Sequence, residues 1–250
     1  MKKQFLLVAV TITAVLVSCK KDKMESQNNS ASTPETTVSS QQVGKIVPID
    51  PLKLGLNGWF PFDGNNNDSL GKLESQLSLY YGARGVIYSN DRKGHPHSAL
   101  YVAQNLILKI KSVPQQTNTS VSVWFRPYSY SDSYRGAIVY NEHRGPFLYQ
   151  AGKNIGAGVR TDVSQPGDYF DMFNSGWHHV VISFDGSFVR VYMDNQLRGV
   201  MPHTATISPT LTDYIVGWMS TYGFWKGYID DLRFYGRTLS DSDVNALYNL

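Results

Sequence analysis

The sequence predicts an all-β sandwich closed by a short C-terminal helix, set behind an export signal and a flexible linker. Three observations carry this reading. Short runs of alternating apolar and polar residues recur from about residue 46 to Leu250; Gly, Asn, Asp and Pro fill the gaps between them; and a single strong helix-start signal occurs, at Ser240. Side chains alternate across a strand, so period-two runs mark half-buried strands and turn formers mark their ends.

The N-terminus comes first and differs in texture. Lys2 and Lys3 precede an apolar run, Phe5 to Val17, broken only by Thr11 and Thr13. The run is too short to cross a bilayer comfortably and reads as the core of a signal peptide over residues 1–18. It ends in Leu16-Val17-Ser18-Cys19, which resembles the lipobox of bacterial lipoproteins. That resemblance implies acylation of Cys19 on its sulfur and then on its freed amine, and more than one chain is what stable anchoring requires. Cys19 is the only cysteine, so the folded domain is expected to hold no disulfide and no thiolate metal site. Lys20 follows it rather than the Asp of an inner-membrane retention signal, which favours the outer membrane and a surface-exposed position.

Residues 19–45 form the linker. Between Met24 and Lys45, 14 of 22 positions are Ser, Thr, Gln, Asn or Pro and none is aromatic. Such a segment buries too little apolar surface to offset its ordering entropy, so it tethers rather than folds.

The domain spans residues 46–250. Strand-like runs occur at Ser98–Val102, Leu106–Ile110, Ser120–Phe125, Ala137–Tyr140, Trp177–Phe184, Ser187–Tyr192, Tyr214–Trp218 and Tyr228–Tyr235. Asp185-Gly186 predicts a tight hairpin, and Asp194-Asn195 starts the next turn. Ser240 caps the terminal helix with Asp243 at the third helical position, ahead of Val244, Leu247 and Leu250.

Four blocks within this domain resemble the bacterial LamG-like family of the concanavalin A-like lectin/glucanase superfamily. They are Gly58–Ser69, Ser120–Pro127, Trp177–Asp194 and Gly227–Tyr235 with Leu239-Ser240, in the family's order. The resemblance implies a concanavalin A-like jelly-roll sandwich. It says little of function, because the fold hosts lectins, adhesion modules and glucanases alike.

Composition narrows the partners. Loss of residues 1–18 with Lys2 and Lys3 lowers the formal charge from +3 to +1, leaving no basic stripe to recruit nucleic acid. Aromatic content is high, with 16 Tyr, 11 Phe and 5 Trp, and exposed aromatic rings are natural platforms for sugars. The favoured partner is therefore a carbohydrate; a protein ligand on a flat adhesion face is the alternative. Trp59, Trp124 and Trp177 sit within the family-like strands and are assigned to the core. Tyr222, Phe224 and Trp225 precede the last strand in a Gly-containing loop, and Tyr130 follows Pro127 among Ser and Asp. These four are the candidate ligand residues.

A calcium ion is the one cofactor the sequence suggests. Asp63 to Ser69 places six oxygen-bearing side chains in seven residues, and calcium takes several hard oxygen ligands from a loop. The loop does not fit an EF-hand, since Asp68 stands where that motif needs Gly and Trp59–Phe62 is strand-like. By the resemblance, Asp68 with Asp63 and Asn67 would meet Asp230 of the last strand. The competing reading is an Asn/Asp turn whose side chains satisfy their own backbone. Strict alternation puts Asp230 on the core side with Leu232 and Phe234, and Asp231 on the opposite, solvated side by Arg233. By the same rule His178 is a core histidine, in phase with Val180, Ile182 and Phe184.

Catalysis is not expected. Glycoside hydrolysis uses two carboxyl groups flanking the scissile bond, whereas the domain holds only Glu74 and Glu142, far apart, and the Asp pair is read as facing both ways. A glycoside hydrolase remains the less favoured alternative.

Overall fold

The alternating runs assemble into two antiparallel sheets packed face to face. The computed structural model describes residues 50–250 apart from 81, 83–84, 104, 130–134, 173 and 222. Its strands are β1 (Leu56–Phe60), β2 (Ser75–Leu79), β3 (Ile87–Ser89), β4 (Ala99–Val102), β5 (Leu106–Gln115), β6 (Thr119–Pro127), β7 (Arg135–Tyr140), β8 (Gly145–Ala151), β9 (Asn154–Arg160) and β10 (Gly167–Asp171). They continue with β11 (His178–Phe184), β12 (Phe188–Met193), β13 (Gln196–Pro202), β14 (Thr210–Val216), β15 (Trp218–Met219), β16 (Gly223–Phe224) and β17 (Gly227–Tyr235), and the chain closes with helix α1 (Asp241–Tyr248).

The first sheet runs β13-β12-β11-β6-β17-β4-β3, with β1 also paired to β17; the second runs β10-β9-β8-β7-β14-β5-β2. Non-consecutive neighbours such as β6 and β17 give the jelly-roll connectivity, in which the last strand lies at the centre of the first sheet. The core lies between the sheets. Val123, Phe125, Ile182, Phe184, Ile229 and Phe234 from the first sheet meet Leu106, Leu108, Ile110, Leu148, Ile155 and Tyr214 from the second, all essentially inaccessible to solvent.

The turns obey local chemistry. Asp194 and Asn195 both take positive φ, 52° and 62°, between the paired residues Met193 and Gln196, the backbone a two-residue type I′ hairpin needs. In the β11–β12 turn the Asp185 carboxylate accepts from the N–H groups of Ser187 and Phe188 at 2.8 and 2.7 Å. Helix α1 carries the capping box the sequence predicts: Ser240 accepts from the Asp243 N–H, and Asp243 accepts from the Ser240 N–H. The helix lies on the outer face of the first sheet, where Val244 and Leu247 pack with Val181, Tyr192 and Tyr235. It ends at Tyr248, so Leu250 is exposed rather than part of its buried face.

One edge of β17 is shared. Gly227–Ile229 pair with β4, and Leu232–Tyr235 pair with β1. The change of partner falls at Asp230-Asp231, where a bulge interrupts the pairing with β6 and Asp231 adopts φ 50°. A bulge inserts one extra residue into one strand, and every residue beyond it on that strand changes face.

Candidate functional site

That bulge corrects the reading of the two aspartates. Ile229, Leu232 and Phe234 all face the core, so the phase is recovered only by turning Asp230 and Asp231 together to the outer face. Arg92, from the loop between β3 and β4, binds both: Nη1 reaches Asp230 at 2.6 Å and Nη2 reaches Asp231 at 3.0 Å. Asp231 also accepts from Arg233 at 2.9 Å and from the indole N–H of Trp59 at 2.8 Å. The guanidinium groups are stacked as well as paired, Arg92 on Trp124 and Arg233 on Trp59, each 4.7 Å from the ring centroid. Burial and the charge of Asp231 push the Asp230 carboxyl up to about 8, with Arg92 pulling the other way. These groups line a hollow of about 290 Å³ bounded by Pro61, Asp63, Lys93 and His95. Chemically it is a closed hydrogen-bonded network: Asp230 and Asp231 are both held by cationic or indole donors, Asp230 by Arg92 and Asp231 by Arg92, Arg233 and Trp59.

The acidic loop is satisfied from within. Asp68 Oδ1 accepts from the N–H groups of Trp59 and Leu70 at 2.8 and 3.1 Å, and Oδ2 from those of Lys72 and Leu73 at 2.8 and 3.0 Å. Four backbone donors occupy the lone pairs of one buried carboxylate. Asp63 and Asn67 are exposed, and Asn67 N–H donates to Asn65 Oδ1. The expected calcium set of Asp63, Asn67, Asp68 and Asp230 is therefore not brought together, because Asp68 is committed to backbone and Asp230 to Arg92. As placed, these residues do not fit a shared calcium ion. Among the described residues, no group of three or more His, Cys, Asp or Glu side chains is arranged to hold a metal.

The candidate ligand residues also need correction. Trp225 is fully buried, its indole N–H donating to Gln150 at 2.9 Å. A Cβ on Gly136 would lie 2.6 Å from the Trp225 Cα, and one on Gly227 would lie 2.3 Å from its ring, so two glycines make room for that indole inside the fold. Phe224 is half-buried against Tyr80, with ring centroids 5.8 Å apart. Tyr222 and Tyr130 lie outside the described residues, as does Cys19. Two of the tryptophans assigned to the core are not there: Trp59 and Trp177 are half-buried on the outer face of the first sheet. Trp124 is buried, but beneath helix α1, where it stacks on Tyr248 at 5.4 Å.

The outer face beyond the end of α1 carries a set of residues that sequence reasoning missed. Tyr101 on β4, Tyr228 on β17 and Arg126 on β6 are direct cross-strand neighbours. Their rings and cation form a row with Trp177 and Tyr128. Tyr101 and Tyr228 centroids are 4.9 Å apart, Tyr101 and Tyr128 6.4 Å, Trp177 and Tyr228 6.4 Å. The Arg126 guanidinium lies 4.2 Å from the Tyr228 ring and 5.5 Å from the Trp177 ring, and Lys226 Nζ lies 3.4 Å from that of Tyr128. Tyr128 is 57% exposed, and the others are half-buried. The signal was present in each strand taken alone. Tyr101 falls between core residues Leu100 and Val102, Tyr228 before Ile229, and Arg126 after Phe125, so each is out of phase with the core. What no single strand shows is that the three stand side by side. A smaller pair, Tyr149 and Tyr169, lies on the outer face of the second sheet, hydroxyl to hydroxyl at 3.1 Å.

The adjacent histidines have unlike fates. His178 is a satisfied core histidine, as expected, bonded to Asp194 at 2.8 Å and to the Asn174 carbonyl at 3.1 Å. His179 is buried on the other face, 2.9 Å from the Ser122 hydroxyl and stacked on Trp124. Burial pulls His178 down, but the hydrogen bonds to Asp194 and the Asn174 carbonyl, with the Asp194 charge, more than offset it, so its pKa is raised. For His179, burial and the Arg233 and Arg92 charges lower the pKa to about 3.

Comparison with known proteins agrees with this architecture. A family model described as the concanavalin A-like lectin/glucanases superfamily matches residues 102–245, more than half of the chain; the opening block at 58–69 lies outside the matched span. No curated protein sequence matches the chain. Among solved structures, domain 4 of AbnA, a GH43 extracellular arabinanase from Geobacillus stearothermophilus in complex with arabinotriose, superposes with TM-score 0.62 at 17% identity, covering 77% of this chain and 98% of that one. The receptor-binding domain of botulinum neurotoxin D superposes with TM-score 0.63 at 15% identity, covering 79% of this chain and 53% of that one. The serotype G binding domain gives 0.61 at 16%, covering 77% and 50%. The chain thus spans about half the length of these toxin domains, and identities this low establish the fold alone.

Proposed function

The chain belongs to the concanavalin A-like lectin/glucanases superfamily, and from that premise we propose that it is a carbohydrate-binding module, held on the outer membrane by a lipid on Cys19. The observation that carries the reading is the row of Tyr101, Tyr228, Trp177 and Tyr128 on an open sheet face. Rings held in fixed register lose little conformational freedom when a ligand lies along them, and Tyr and Trp add a polar edge to an apolar body. The arabinotriose complex of the arabinanase domain supports a sugar ligand on this architecture.

The module acts without catalysis. Its close carboxylate pair, Asp230 and Asp231, is bound by Arg92, Arg233 and Trp59, whereas hydrolysis needs one carboxyl free to protonate and another free to attack. At the N-terminus, the acyl chains on Cys19 and the linker to residue 45 set the domain off the membrane. Cys19→Ala is expected to abolish palmitate labelling and detergent-phase partitioning.

The ligand reading is tested by binding of the full, detergent-solubilised chain to arabinan and to a panel of plant, microbial and host glycans. Binding is expected for at least one glycan. Trp177→Ala and Tyr228→Ala should each weaken it about fivefold, the equivalent of roughly 1 kcal/mol of lost ring contact. Failure of every glycan to bind, or undiminished binding by both variants, overturns the reading.

A further inference from the structure

We propose that the glycan read by this row is anionic, carrying carboxylate or sulfate groups on its sugar units; the proposal rests on the carbohydrate reading above and specifies its ligand. The row offers hydrogen-bond donors and positive charge with no acid among them. Arg126 stands on the outer face beside its cross-strand partner Tyr228, and just past the ends of β6 and β17 Tyr128 and Lys226 sit alongside each other, the Tyr128 N–H donating to the Lys226 carbonyl at 3.1 Å. Neither cation meets a carboxylate among the described residues, in contrast to Arg92 and Arg233 a short way along the same face. The nearest acids on β17, Asp230 and Asp231, are already bound by those two arginines. The positive charge of the row therefore has no carboxylate counter-charge among the described residues.

The two cations are also held rather than free. Arg126 is set between the rings of Tyr228 and Trp177, and Lys226 is over Tyr128. A guanidinium that rests on aromatic rings makes no hydrogen bond to them, so its N–H groups stay available, and that planar fork matches a carboxylate or sulfate. The tyrosine hydroxyls and the Trp177 indole N–H make no hydrogen bonds within the described residues, and they add neutral donors beside the cations. Arg126 lies opposite Tyr228, and Lys226 lies over Tyr128, so cations and rings alternate along the row. This spaces two positive points along the row instead of concentrating them in one pocket. A neutral glycan would use the rings and leave both cations without counter-charge; an acidic one uses both.

The test compares binding of the full chain to polygalacturonate, chondroitin sulfate, arabinan and polyglutamate at low and at physiological salt. Wild type is expected to bind at least one acidic glycan tenfold or more tightly than arabinan, with affinity falling as salt rises. Lys226→Gln alone should reduce that preference severalfold, and Arg126→Gln with Lys226→Gln should remove it, with melting temperature as the control for folding. Binding to polygalacturonate assigns the anion as carboxylate, and binding to chondroitin sulfate that is lost with unsulfated chondroitin assigns it as sulfate. Arabinan bound as tightly as the acidic glycans, or a double variant that keeps the preference, overturns the proposal while leaving carbohydrate binding in place. Polyglutamate bound as tightly as the acidic glycans overturns it too, since charge without sugar would then suffice. If no glycan binds at all, the carbohydrate reading itself fails.

Discussion

Arg92 binds Asp230 at 2.6 Å across the point where the edge of β17 passes from one partner strand to another. With β4 on one side of the bulge and β1 on the other, the sheet has no ladder bond to close this gap. The guanidinium closes it instead, holding Asp231 with its second nitrogen. Both ends of the pair are almost completely covered, with side-chain exposures of 10% and 4%.

Removing Arg92 leaves two adjacent buried carboxyl groups without the donor they share. Arg92→Ala is expected to lower unfolding free energy by about 3–5 kcal/mol, measured by urea denaturation, with partial recovery in Arg92→Lys. A loss below about 0.5 kcal/mol would show that solvent, not Arg92, neutralises the aspartates.

Stability should fall on the acid side because of His179. Its pKa is depressed to about 3, so it is neutral in the folded chain while the unfolded chain takes up a proton near the ordinary value of 6.5. The contribution is complete above pH 6.5 and is lost as pH falls from there toward 3. His178 has the opposite sign: raised by its bond to Asp194, it favours the fold below pH 6.5 and loses that contribution as pH rises. In melting curves between pH 7 and 4, His179→Gln should flatten the acid decline, by on the order of a few kcal/mol over that range. Equal slopes in wild type and variant would contradict a neutral, buried His179.

Asp68 anchors its loop by four N–H groups. Asp68→Ala should cost about 3 kcal/mol or more, since hydrogen bonds to a charged acceptor are worth about 1.5–3 kcal/mol each and the orphaned donors stay buried. Because those donors fill its oxygens, wild-type melting is expected to be the same in millimolar calcium and in chelator. A rise of several degrees in calcium would mean that Asp68 exchanges backbone donors for the ion.

Trp225 and Trp177 should separate stability from binding. Trp225→Ala opens a large void in a packed core and is expected to cost about 3–5 kcal/mol, and Gly227→Ala should destabilise by forcing the same ring aside. Trp177→Ala should change stability by less than about 1 kcal/mol while weakening glycan binding. Unfolding and binding curves recorded on the same preparations decide this, and the reverse pattern would return Trp225 to the ligand site.

Several features were readable from sequence because their causes are local. Alternation in β6, β11 and β12 is set by the pleat, the Asp194-Asn195 turn by tolerance of positive φ, and the α1 cap by two side chains within four residues. Strands β9 and β10 gave little signal. The outward positions Gly156, Gly158 and Gly167 carry no side chain and are covered by the rings of Tyr149 and Phe147, so polar alternation never appears. The edge strands β2 and β3 are short and bury little, which weakens the same signal there.

The sequence by itself determined a β sandwich with a capped terminal helix, and a core histidine at 178. Tertiary structure alone decided which outward residues meet. One bulged residue, Asp231, turned Asp230 away from the core and into the grasp of Arg92, 138 positions earlier in the chain. Cross-strand register then set Tyr101, Tyr228 and Arg126 in one row. Periodicity within a strand reports which face a side chain takes; register between strands distant in sequence is fixed by packing across the whole sandwich, and no local pattern encodes it.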